Sequence, residues 1–203
     1  MFFSWLKKQH PDFIVNESWL TARIPFFMNP KPMPKIDPSK IKAAPGTDLN
    51  MLLSIRPTKF ITHGTEAEIY ETNNPAIIIR IHKYPYDDSC EKVMMRPNIQ
   101  NTGGVAKIYG EAELDDSYIT FKEKVETNWK NYFLKKYGKD QGSEIIEAVL
   151  GLIHNFFWQP QFLKTIDECK NFISAIENGV PTSDIWPSNL GLNKDNHLVF
   201  IDC

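Results

Sequence analysis

Three oxygen-bearing side chains, Asp184, Asn189 and Asp202, have the types and spacing that a metal-assisted reaction on a phosphate requires. Asp and Asn are hard oxygen ligands of the kind magnesium takes, and magnesium binds few protein groups while keeping several waters. Phosphoryl transfer asks for little covalent chemistry from the protein. It asks for metal bridging the phosphate oxygens and for an acceptor hydroxyl held in line. A carboxylate at Asp184, just upstream of Asn189, is placed to receive the proton of such a hydroxyl. Taken alone, an aspartate at a helix end and an asparagine in a turn account for the same pair.

These residues need elements to hold them. Residues 190–192 and 198–201 read as two short strands joined by a hairpin-like turn at Lys194, Asp195 and Asn196, which delivers Asp202 at the end of the second strand. Upstream, Ile145, Ile146, Val149, Leu150, Leu152, Ile153, Phe156 and Phe157 recur at helical spacing. Beyond Pro160, the run from Phe162 to Ile176 predicts a second helix, with Gly179 as its C-terminal cap. Earlier still the period is that of strands. Residues 60–63, 68–71 and 76–82 form an antiparallel meander with turns at Gly64 and at Asn73-Asn74-Pro75. Residues 105–109 and 118–121 add two more strands, and 88–95 predicts a short helix. Strands followed by helices make a two-lobed α+β chain. Its sheet lobe spans 60–121, its helical lobe with the loop spans 122–203, and the hinge lies near 122–126. Residues 1–59 form an arm. Six prolines between Pro25 and Pro45 make much of it an extended connector, and Asp48 caps a helical turn over 48–55.

Composition narrows the classes. A chain of 203 residues can build one good core or two small lobes. A net charge of -2 argues against nucleic-acid binding, which needs a basic surface. Cys90, Cys169 and Cys203 are far apart and contain no CxxC, so they form neither a disulfide framework nor a zinc site and point to a reducing compartment. No apolar run reaches the about 18 residues of a membrane span. The five histidines show no metal spacing, and Trp158 and Trp186 read as packing residues.

With loop, strands and cap in place, residues 60–203 resemble the protein-kinase-like superfamily of protein kinases, small atypical kinases and aminoglycoside or choline phosphotransferases. Thr182-Ser-Asp-Ile-Trp-Pro-Ser-Asn189 is similar to the catalytic loop, HRDLKPEN in protein kinases and HGDLHPGN in many small-molecule kinases. The resemblance implies ATP and magnesium as cofactors, Asp184 as the catalytic aspartate, and Asn189 and Asp202 as metal ligands. Gly64-Thr-Glu-Ala-Glu-Ile-Tyr70 resembles the nucleotide-covering loop, closer to the GAEAxIY form of small atypical kinases than to GxGxxGxV. Gly64 keeps the permissive backbone there and Glu66 takes the place of the second glycine. Aligning 77–80 with VAIK puts Arg80 where a lysine meets the α- and β-phosphates, and arginine is not interchangeable with lysine. Glu91, on the next helix, is the implied partner of Arg80. Residues 121–125 are expected to offer only backbone atoms to adenine. Thr182 and Ser183 replace the His-Arg or His-Gly pair, and Cys203 replaces the phenylalanine of DFG.

The resemblance implies an ATP-dependent kinase acting on a hydroxyl of a protein substrate. A catalytically weak or inactive kinase-like regulatory protein, or a small-molecule phosphotransferase, is the alternative. The sequence runs one residue past Asp202, so the expected kinase-like fold is truncated after the DFG-position aspartate. It is expected to be a minimal core, a fragment or half of a split protein, working in the cytoplasm or as a secreted effector in a host cytoplasm. A protein partner, a homodimer or residues 1–46 folded back are expected to cover Phe156, Phe157, Trp158, Phe162 and Leu163.

Overall fold

The apolar run at Ile77–His82 is buried on both faces and becomes an inner strand of the sheet. The computed structural model describes residues 33–63, 67–82, 90–114, 117–154, 160–182 and 185–202. Its strands are β1 (Ile41–Ala43), β2 (Pro57–His63), β3 (Ala67–Thr72), β4 (Ile77–His82), β5 (Ile108–Leu114) and β6 (Ser117–Glu123). They form one antiparallel sheet in the order β1-β5-β6-β4-β3-β2. A separate antiparallel pair joins β7 (Leu190–Leu192) to β8 (Leu198–Phe200). The helices are α1 (Leu49–Ser54), α2 (Cys90–Met94), α3 (Pro97–Gln100), α4 (Trp129–Tyr137), α5 (Lys139–Ile153), α6 (Pro160–Lys164) and α7 (Asp167–Glu177). The class is mixed α+β. Among the described residues no helix is long and apolar enough to cross a membrane.

The sheet has six strands where five were expected. Residues 41–43, expected in the arm, pair with β5, Ile41 lying opposite Ala112. Asp48 does cap α1, its Oδ1 accepting the Asn50 amide at 2.9 Å. That helix buries Leu52 among Ile41, Ile55, Tyr70, Ile79, Ile119 and Phe121, covering one face of the sheet. Residues 41–55 therefore belong with the sheet rather than with a loose connector.

A second core gathers α4, α5, α7 and the β7–β8 pair around Phe133, Val149, Leu152, Phe172, Leu190 and Phe200. The second predicted helix is two helices. The chain is extended at Ile166, after β-branched Thr165, and a new helix starts with Asp167 and Glu168, acids that suit its positive N-terminal end. Gly179 closes α7 with φ +102°. Val180 N–H donates to Ala175 C=O at 3.1 Å and Gly179 N–H to Ile176 C=O at 3.0 Å, a paired ending that needs the left-handed residue. Leu163 is buried and Phe162 packs half-buried against this core, so neither offers the open apolar surface expected of them. Phe156, Phe157 and Trp158 lie outside the described residues.

The α4 and α7 helices are tied by a buried carboxylate. Glu168 accepts from Lys136 Nζ and from Tyr137 Oη, the latter at 2.6 Å. Burial pushes the Glu168 carboxyl up, but the Lys136 and Tyr137 hydrogen bonds outweigh it and hold the group below its ordinary value. A carboxyl depressed in the folded state contributes stability that is present above its unfolded pKa of about 4.3 and is lost as pH falls through the folded value. Glu168→Gln is expected to cost about 2 kcal/mol at pH 7 and to flatten the decline in stability below pH ~4.5, read by urea melts across pH. Parallel pH profiles for both proteins would contradict this.

Candidate functional site

Cross-strand register decides which side chains meet, because directly opposed residues share a face. Arg80 on β4 lies opposite Ile69 on β3 and Thr120 on β6. Ile78 lies opposite Lys122, and His82 opposite Tyr118. The face turned away from α1 therefore carries Arg80, His82, Thr120 and Lys122, all buried. Buried polar groups are tolerated where they are hydrogen-bonded. His82 stacks on Tyr118 with ring centroids 3.8 Å apart, and its Nε2 lies 3.3 Å from Thr120 Oγ1. Arg80, 7% exposed, donates from Nη2 to Asp202 Oδ2 at 2.5 Å. Lys122, fully buried, donates from Nζ to the Ile201 carbonyl at 2.5 Å.

The other half of the site comes from the loop before β7. Ile185 is buried, Trp129 Nε1 donates to the Pro187 carbonyl at 3.1 Å, and residues 187–189 close a single 3-10 turn with Asn189 N–H on the Trp186 carbonyl at 2.8 Å. The Asn189 carbonyl then accepts the amides of Ile201 at 2.7 Å and Asp202 at 3.4 Å. Between them the β7–β8 turn is fixed as expected. Asn193 Oδ1 accepts the amides of Asp195 and His197, and Asn196 takes φ 62°. Among the described residues the Asn189 side-chain oxygen receives one long contact, from Ser188 Oγ at 3.5 Å.

Strand β8 is held to the rest of the molecule through Gly104 and Ala106. Phe200 N–H donates to the Gly104 carbonyl and Ala106 N–H to the Phe200 carbonyl. A Cβ at Gly104 would meet the Asn171 carbonyl oxygen at 2.0 Å, so only glycine lets α7 and this segment approach so closely. Gly104→Ala is expected to cost about 3 kcal/mol and to shift the segment bearing Asp202. A thermal melt within ~1 °C of the wild type would contradict this.

Of the residues singled out from sequence, the fold brings Arg80, Asn189 and Asp202 to one place. Asp184 and Gly64 lie outside the described residues, as do Glu66 and the side chain of Glu91, which belongs to α2. Arg80 meets Asp202, a partner that the motif did not indicate. Trp186, expected to pack, is 68% exposed, because the loop turns Ile185 inward in its place. Part of the backbone at 121–126 is already bonded within the fold. Glu123 N–H is committed to Lys107 C=O, Lys124 N–H to Ala76 C=O, and Glu126 bonds Leu192 in both directions. Lys122 was expected to matter through its backbone alone. Its signal in the sequence is a lysine inside a strand whose neighbours Tyr118, Ile119 and Phe121 are all core residues.

Asp202 and the Asn189 side-chain oxygen are the hard oxygen types that magnesium takes, few in number with waters and phosphate completing the shell, and the main chains of the two residues are in hydrogen-bond contact. Among the described residues no three His, Cys, Asp or Glu side chains cluster as a metal site. The buried Cys169 thiol is pushed up to about 12 by burial and then by Glu168, so it is no nucleophile. A separate cavity of about 630 Å³ opens at the β1–β5 edge beside Lys107, Tyr109 and Lys194, and its lining does not include Arg80, Asn189 or Asp202. No protein-family model matches the chain, and no curated protein matches it either.

Proposed function

We propose that the protein is an ATP-dependent kinase that transfers a phosphoryl group from magnesium ATP to a hydroxyl of a protein substrate. The observation that carries the reading is the convergence of Arg80, Asn189 and Asp202, with Arg80 and Asp202 122 positions apart in sequence. Two separate cores, one under the sheet and one among the helices and the β7–β8 pair, support a two-lobed, kinase-like fold. In this reading Asn189 and Asp202 would hold magnesium, which would supply neutralisation of the phosphate charge. Arg80 turns a guanidinium fork toward phosphate oxygens. Asp184, at the position the resemblance gives it, orients the acceptor hydroxyl and receives its proton. A cytoplasm, the cell's own or a host's, is the place of action that goes with this reading.

A second reading has its own observation. The 2.5 Å contact of Arg80 commits the carboxylate that the metal needs, as suits a kinase-like regulatory protein without catalysis. Incubation with γ-labelled ATP and candidate protein acceptors, with magnesium or EDTA, separates the two. Magnesium-dependent label on protein is expected. Magnesium-dependent binding of ATP without any label would favour the regulatory reading.

A further inference from the structure

We infer that Lys122 is a positioning residue for the metal-binding carboxylate. The inference rests on the reading of Asp202 as a magnesium ligand. The peptide group between Ile201 and Asp202 is gripped on both sides. Its carbonyl accepts from Lys122 Nζ at 2.5 Å, and its N–H donates to the Asn189 carbonyl at 3.4 Å. The Ile201 amide is held by that same Asn189 carbonyl at 2.7 Å. With the peptide plane fixed, the direction in which Asp202 leaves the backbone is fixed too. The same grip sets Asp202 beside Asn189, the other proposed ligand, because Asn189 supplies one of its jaws.

The cost of the arrangement shows that it is not ordinary packing. Lys122 is fully buried on a strand between Phe121 and Glu123, where its ammonium has given up water. An apolar side chain of similar length would fill the space without that desolvation penalty. The ammonium reaches instead across 79 positions of sequence to a main-chain carbonyl next to the site. A ligand to metal must be held within a fraction of an ångström by its supporting contacts, and this contact supplies that restraint from the sheet.

The direction of the effect separates positioning from simple charge. As a positive charge near the site, Lys122 would repel magnesium, and its removal would strengthen metal binding. As a positioning residue, its removal weakens it. The test is ATP affinity of the full chain, measured by calorimetry in EDTA and in excess magnesium chloride, with a thermal melt for each variant. Lys122→Met is expected to bind ATP in EDTA within about twofold of the wild type and to lose about tenfold of the gain that magnesium gives. Lys122→Arg keeps a donor and is expected to restore most of the gain. If Lys122→Met does not fold, Lys122→Gln, which falls short of the Ile201 carbonyl, should show the same loss. In an Asp202→Asn background, Lys122→Met should cause no further loss, since both act through one ligand. A Lys122→Met protein that gains as much from magnesium as the wild type, or more, overturns the inference while leaving the kinase reading in place. A wild type that gains nothing from magnesium overturns both.

Discussion

Asp202→Ala is expected to abolish the magnesium-dependent part of ATP binding and to lower stability by about 2 to 3 kcal/mol. Both effects follow from one carboxylate serving two cations. In the free protein it meets Arg80, whose side chain is 9% exposed, and removing one partner of a buried ion pair is destabilising. The cost falls below that of a fully buried pair because the Asp202 side chain is 26% exposed. In the proposed site the same carboxylate would be a magnesium ligand once nucleotide is present. Asp202→Asn separates the roles: it keeps an oxygen for Arg80 and is expected to cost only about 1 kcal/mol while still losing the magnesium gain. Urea melts and paired titrations read both quantities. An Asp202→Ala protein with wild-type stability and wild-type magnesium dependence would show that the Arg80 contact is incidental.

Asp184→Asn is expected to lower phosphoryl transfer by about 10² to 10⁴ while leaving magnesium ATP bound. An asparagine retains the size and one oxygen of the aspartate but cannot take the hydroxyl proton, so the loss should fall on the rate of transfer rather than on nucleotide affinity. Ile185, buried, and Pro187, held by Trp129, anchor the loop just after this position, so the substitution should not disturb Asn189. Single-turnover transfer of label from γ-labelled ATP measures the rate directly. Label that survives in both Asp184→Asn and Asp202→Asn would place the chemistry elsewhere.

Local signals in the sequence are legible where short-range physics dominates. The β7–β8 hairpin, the Asp48 cap and the Gly179 helix ending each depend on residues within a few positions of one another. Strand β1 is not legible in the sequence because prolines dominate residues 25–46, while its pairing of Ile41 with Ala112 is set by tertiary contact. Helix α4 is hard to read because charges among Trp129, Tyr132, Phe133 and Tyr137 dilute their helical spacing. In the candidate site, Arg80, Asn189 and Asp202 are each picked out by the kinase-like resemblance of their motifs. That Arg80 and Asp202 meet one another is not, because it requires the end of β8 to reach the face of β4. The role of Lys122 needs a third element, β6, in register beside β4. Exposure of Trp186 depends on which of two adjacent large apolar residues the loop turns inward, and spacing does not decide that.

The central claim is that Arg80, Asn189 and Asp202 form a magnesium-nucleotide site. Calorimetric titration of ATP into the folded wild-type chain, once with excess magnesium chloride and once with EDTA, tests it most directly. Saturable binding with one site per chain, about tenfold or more tighter in magnesium, is the predicted result. A folded sample that binds no ATP in either condition, or binds it equally with and without magnesium, would contradict the claim.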